Sequence, residues 1–157
     1  MKKCNLYFDG ACTPVNPDGD MGIGFSIIEN GKEVYDLSHY IPKEEWKTTT
    51  SNNLAEYLAL LQGLKRAYTD GYEEINVYGD SMLVIKQMSG LWKIKNGSYV
   101  PIANKVKDFV KLFNKINFTH IPREENSRAD ELSKRDIPHH ILEEGERRFQ
   151  YYKSKKK

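Results

Sequence analysis

At 157 residues, 39% hydrophobic and with a formal net charge of +2, the chain has apolar material for one compact core, and its overall charge argues for no particular partner. No run approaches the roughly 20 apolar residues of a membrane-spanning helix, and Met1-Lys2-Lys3 leads straight into alternating residues rather than a signal peptide, so a cytoplasmic protein with no membrane partner is expected. The two cysteines, Cys4 and Cys12, fall on one extended segment about 26 Å apart at strand rise, which excludes a disulfide between them.

The first strand is predicted from about Asn5 to Cys12, with Leu6, Phe8 and Gly10 facing one way and Asn5, Tyr7, Asp9 and Ala11 the other. Thr13 to Asp20, with Pro14, Pro17 and Gly19, reads as a turn region before an extended segment resumes at Gly22 to Ile28. Asn30-Gly31 is a hairpin signal, with Glu33 to Tyr40 as the returning strand. After a polar loop from Pro42 to Ser51, Leu54, Leu58, Leu61, Leu64 and Tyr68 predict a helix of about eighteen residues ended by Asp70-Gly71. Glu74 to Tyr78 is a short strand able to lie parallel to the first, and a short helix follows Asp80-Ser81 as far as about Met88. Gly90 to Gly97 is irregular. Ile102, Val106, Phe109, Val110 and Phe113 mark an amphipathic helix, Asn117 to Ile121 a last strand, and Asn126 or Ser127 can cap a helix running to Lys134. Residues 1–137 are thus expected to be one compact domain and 138–157 a basic tail, a short helix at most, ending in a disordered Lys155-Lys156-Lys157. The order is that of an α/β fold, a five-stranded mixed sheet with helices on both faces.

Charge is unevenly placed. From Lys86 to Arg123 there are eight basic residues against one acid, and the segment after Ile137 carries six basic and three acidic residues. A solvated lysine-rich helix face accounts for this as well as a polyanion partner does. Among the acids, Asp9 interrupts an otherwise apolar strand, and a buried aspartate needs a cation, an arginine or a proton. Asp80 can cap the helix after it. Glu56 stands three residues after Asn53 and Asp130 three after Ser127, the spacing of a capping box. If folding gathered all four, their repulsion would demand protons or divalent cations.

Asp9-Gly10-Ala11, Asn16-Pro17, Gly22-Ile23-Gly24, Ser51-Asn52-Asn53-Leu54-Ala55-Glu56, Gly79-Asp80-Ser81 and His120-Ile121-Pro122-Arg123-Glu124-Glu125-Asn126 through Asp130-Glu131-Leu132-Ser133 appear in an order that resembles the type 1 ribonuclease H family. The resemblance implies an RNase H-like fold and Asp9, Glu56, Asp80 and Asp130 as metal-binding catalytic carboxylates, holding two Mg²⁺ ions with Mn²⁺ as substitute, roughly 4 Å apart. It implies an endonuclease that cuts the RNA strand of RNA–DNA hybrids and leaves 5′-phosphate and 3′-hydroxyl ends. His120 matches a histidine that assists proton transfer or product release, although a structural histidine fits equally well. Asn52 and Asn53 match readers of the minor groove, or else simple helix caps, while Asn16 and Ser51 match a phosphate-holding pocket, and Arg123 lies near enough to contact phosphate. Two departures stand out. Met82 occupies the place of a groove-contacting glutamine, and the span from Gln87 to Val106 is too short for the family's extra basic helix. In its place stands Trp92-Lys93-Ile94-Lys95, a substrate contact or packing on the sheet. The compact pattern resembles the branch lacking that protrusion, for which double-stranded RNA is an alternative substrate. A DNA junction on the same fold is a further alternative, a non-catalytic hybrid- or RNA-binding module is an alternative function, and a monomer is expected.

Overall fold

The computed structural model describes residues 1–155, leaving Lys156 and Lys157 outside, and with them part of the tail end expected to be disordered. Strand β1 (Lys3–Thr13) alternates as its side chains dictate: Leu6 and Phe8 are fully buried while Asn5 and Tyr7 are half-exposed. β2 (Asp20–Glu29) and β3 (Lys32–Ile41) form the hairpin, turning at Asn30 and Gly31, whose φ of 51° and 77° suit the primed turns that match strand twist. β4 (Glu74–Gly79) and β5 (Lys115–His120) complete a sheet of order β3-β2-β1-β4-β5. β1–β2 and β2–β3 are antiparallel, whereas β1–β4 and β4–β5 are parallel, so the sheet is mixed.

Helix α1 (Asn52–Thr69) packs on β1 and β2, burying Leu54, Leu58, Leu61 and Leu64, and α3 (Val100–Val110) packs on α1. α4 (Ser127–Arg135) covers the opposite face, against β1, β2 and β3. Its close approach depends on Gly22 and Gly24: a Cβ at either would overlap the backbone of Ser133 or Leu132. α2 (Met82–Met88) follows β4, and 89–99 contains no helix, so the extra basic helix is absent.

Two boundaries depart from expectation. Phe113 lies in the turn after α3 rather than in it, yet it is buried and meets Tyr68 edge-on at 6.0 Å between ring centroids; burial from a turn imitated the helical spacing. The final helix, α5 (His139–Lys155), runs 17 residues and includes Lys155, longer than a short helix. Pairs four residues apart along it, His139–Glu143, Glu144–Arg148 and Glu146–Gln150, support a helix that has no strong apolar stripe.

Candidate active site

β1 outlasts its parallel partner. The last β1–β4 pairing is Tyr7 with Tyr78, so Asp9 projects two residues beyond it, and Asp80 follows the end of β4 immediately. This is the crevice at the carboxyl ends of parallel strands where α/β sheets place their sites. Gly10 brings the third acid. A Cβ there would overlap the carbonyl carbon of Ala55 and the nitrogen of Glu56, so glycine alone lets the first turns of α1 rest on the strand. Carboxylate oxygens of Asp9, Glu56 and Asp80 consequently lie within 4.8 Å of one another.

Asp9 and Glu56 are only 5% and 3% exposed, and none of the three acids takes part in an ion pair among the described residues. Burial, then the negative charge of Asp80, pushes the Asp9 carboxyl up to about 7, against a smaller opposing effect of its hydrogen bonding with Glu56. Burial, then Asp9, raises Glu56 well above the usual carboxylate range. Glu56 Oε2 is buried without a hydrogen-bond partner. An all-oxygen donor set with an orphaned buried oxygen fits a hard divalent cation such as Mg²⁺ or Mn²⁺. Asp130 lines the same cleft, of about 760 Å³, but stands outside the tight group of three, with Lys134 Nζ at 3.0 Å and Arg123 at 3.8 Å from its Oδ1.

The helix-capping alternatives are settled by the actual caps. Ser51 caps α1, its hydroxyl accepting from the Leu54 N–H at 3.1 Å, so Asn52 and Asn53 are the first two helical residues and Glu56 is no capping-box partner. Ser81, not Asp80, caps α2 through the Val84 N–H at 3.3 Å. At α4 the N-cap is Asn126 and Ser127 is already helical, so Asp130 is not the third residue after a Ser127 cap. The Asn126 amide is otherwise engaged. Only 1% exposed, it donates to Phe8 O at 3.0 Å and to Asp80 Oδ2 at 3.2 Å, tying β1, Asp80 and α4 together. Sequence reasoning placed Asn126 in a motif and at a cap, but gave it no role at the carboxylates.

Asn16, Ser51, Asn52 and Asn53 assemble around the start of α1. Asn16 Oδ1 accepts from the Asn52 N–H at 3.0 Å, and Asn52 Nδ2 lies 3.5 Å from Glu56 Oε1. His120 is exposed on the cleft wall with Nε2 at 3.2 Å from Asp80 O, and Arg123 lines the same cleft. Trp92 and Lys93 line instead a separate groove of about 640 Å³ with Lys107 and Lys111. Four residues with no expected role, Leu142, Gly145, Glu146 and Phe149 of α5, complete the carboxylate cleft.

A family model described as reverse transcriptase-like matches residues 8–136. Ribonuclease HI of Halobacterium salinarum is 32% identical over 132 residues, covering 83% of this chain and 62% of that protein, so the chain spans less than two thirds of that relative's length. The crystal structure of RNase H1 from Halobacterium salinarum superposes with a TM-score of 0.77 at 31% identity, over 86% of this chain and 97% of that one. LC11-RNase H1 in complex with an RNA/DNA hybrid gives 0.75 at 34% identity, over 85% and 96%.

Proposed function

The chain belongs to the type 1 ribonuclease H family, and from that premise we propose that it is a divalent-cation-dependent endonuclease hydrolysing the RNA strand of RNA–DNA hybrids. The observation that carries this is the convergence of Asp9, Glu56 and Asp80 within 4.8 Å, two of them buried without a counter-ion. Support comes also from the likeness to a ribonuclease H1 whose structure contains an RNA/DNA hybrid. Asp9, Glu56, Asp80 and, after release from Lys134, Asp130 would hold two cations, Mg²⁺ or Mn²⁺. When bound, such cations supply activation of water, polarisation of the phosphoryl group and charge relief at the departing 3′ oxygen, leaving a 5′ phosphate.

The chain's own groups orient the substrate. Asn52 and Asn53 offer amides to the 2′-hydroxyls that distinguish RNA from DNA, and Asn16 with Ser51 holds a phosphate of the partner strand. Arg123, exposed at the cleft, attracts the scissile-strand backbone, and His120 exchanges a proton with the leaving group or product. Trp92 and Lys93 contact substrate beyond the cleft, on the lysine-lined groove. All four carboxylates come from one chain, so a monomer suffices. Free Cys4 and Cys12 suit a reducing cytoplasm, and no helix among the described residues is long and apolar enough to cross a membrane.

The test is a panel of end-labelled duplexes, hybrid, double-stranded RNA, double-stranded DNA and a branched junction, incubated with Mg²⁺ or Mn²⁺ and analysed for product ends. Cleavage of the hybrid's RNA strand to 5′-phosphate products is expected. Preferential cleavage of double-stranded RNA or the junction would replace the substrate, and salt-sensitive binding without cleavage would reduce the protein to a binding module.

A further inference from the structure

α5 follows the segment that the family model matches, which ends at residue 136, yet it borders the carboxylate cleft. Its attachment is specific. Gly145 sits against β1 so closely that a Cβ would collide with Thr13 Oγ1, and Leu142, Gly145, Glu146 and Phe149, spaced by three and four residues, present one face of the helix to the cleft. Continued along the helix, that face carries Tyr152 and Lys153. Beyond Glu146 every ionisable group except the tyrosines is basic: Arg147, Arg148, Lys153 and Lys155, followed in sequence by Lys156 and Lys157. Interleaved with them are Phe149, Tyr151 and Tyr152, exposed by 60%, 57% and 60%. A globular surface does not ordinarily leave three large aromatics within four residues in water, whereas cations alternating with aromatic rings suit a strand's phosphate backbone and the sugar faces beside it. α5 has no buried residue, so its second half contributes nothing to the core.

We propose that α5 is a nucleic-acid-binding arm: its first half is anchored on β1 through Gly145, and its second half lays Phe149, Tyr152 and Lys153 along a strand passing through the carboxylate cleft. Tyr152 stands seven residues past the anchor, about 10 Å at helical rise, which spans about three phosphates of one strand. The arm supplies cations beside the carboxylate cleft, in a chain that has no basic helix between α2 and α3. The ligand is the duplex assigned above, and the inference rests on that assignment for its identity, not for the binding measurement.

Binding of a short fluorescent RNA–DNA hybrid to the full chain is measured in an Asp9→Asn background, between about 50 and 300 mM salt. Phe149→Ala with Tyr152→Ala is expected to weaken binding about tenfold at unchanged salt slope, because ring contacts with the sugars release no counterions. Adding Lys153→Ala should flatten the slope of log K against log salt by about one. Gly145→Val, which displaces the arm without touching its contact residues, should reproduce the loss of affinity, with circular dichroism confirming the fold. Affinity and slope equal to the parent in all three variants would overturn the proposal. So would variants that lose binding to phosphatidylserine vesicles while keeping hybrid affinity, since the arm would then address a membrane. Failure of the cleavage panel would leave this comparison readable, because it uses no turnover.

Discussion

Replacing Asp9 by Asn should remove activity and at the same time stabilise the metal-free protein. Burial and Asp80 hold the Asp9 carboxyl at about 7, against an ordinary value of 3.8. The folded state therefore binds a proton more tightly than the unfolded chain, and stability falls as pH rises from about 4 until it levels off above about 7. A difference of that size corresponds to at most about 4 kcal/mol at about pH 8. Asp9 and Glu56 interact closely and share their protons, so the gain realised by removing one charge is about 1–3 kcal/mol. Asparagine keeps the oxygen that accepts the Gly10 N–H at 2.9 Å, so the substitution brings no packing loss. For a chain of this length the melting temperature should rise by roughly 3–10 °C in EDTA at about pH 8. Near pH 5 the wild-type carboxyl is already protonated in the fold, and the gap should shrink. Calorimetric melts of both proteins across that range check this. A variant less stable than wild type at pH about 8, or a gap that does not change with pH, would show that the Asp9 charge does not destabilise the fold.

Mg²⁺ added at millimolar concentration should raise the wild-type melting temperature at about pH 8 and much less at about pH 5, where protons compete for the same oxygens, and should barely move Asp9→Asn; scanning fluorimetry reads all three. Gly10→Ala should push α1 off β1, costing about 2 kcal/mol or more by denaturant titration and separating Glu56 from Asp9, with hybrid cleavage falling accordingly. Asn126→Ala removes the donor to Phe8 O and Asp80, and should cost about 1–3 kcal/mol together with a slower cleavage step, measured as single-turnover rate.

Asp9 was legible because strict alternation assigns it a sheet face among apolar neighbours, and the Asn30-Gly31 hairpin and the leucine spacing of α1 were legible for similarly local reasons. Capping was less so: Asn53 with Glu56 has capping-box spacing, but the cap is whichever residue first departs from helical backbone, and Ser51 does. Glu56 and Asp80 reach Asp9 through Gly10 and through the different lengths of β1 and β4, which are tertiary facts with no local pattern. The separate position of Asp130 is decided by Lys134 one turn away and Arg123 across the cleft. α5 escaped because its docking face consists of Leu142, a glycine, a glutamate and an exposed phenylalanine, which no hydrophobic stripe would reveal.

Single-turnover cleavage of an RNA–DNA hybrid during Mg²⁺ titration of metal-depleted wild type and Asp9→Asn shows whether these carboxylates form a cation site on which RNA cleavage depends. Saturable Mg²⁺-dependent cutting of the RNA strand by wild type, with a loss of about a thousandfold or more in the variant, is the expected result. Cleavage persisting in EDTA, or a variant as fast as wild type, would contradict it.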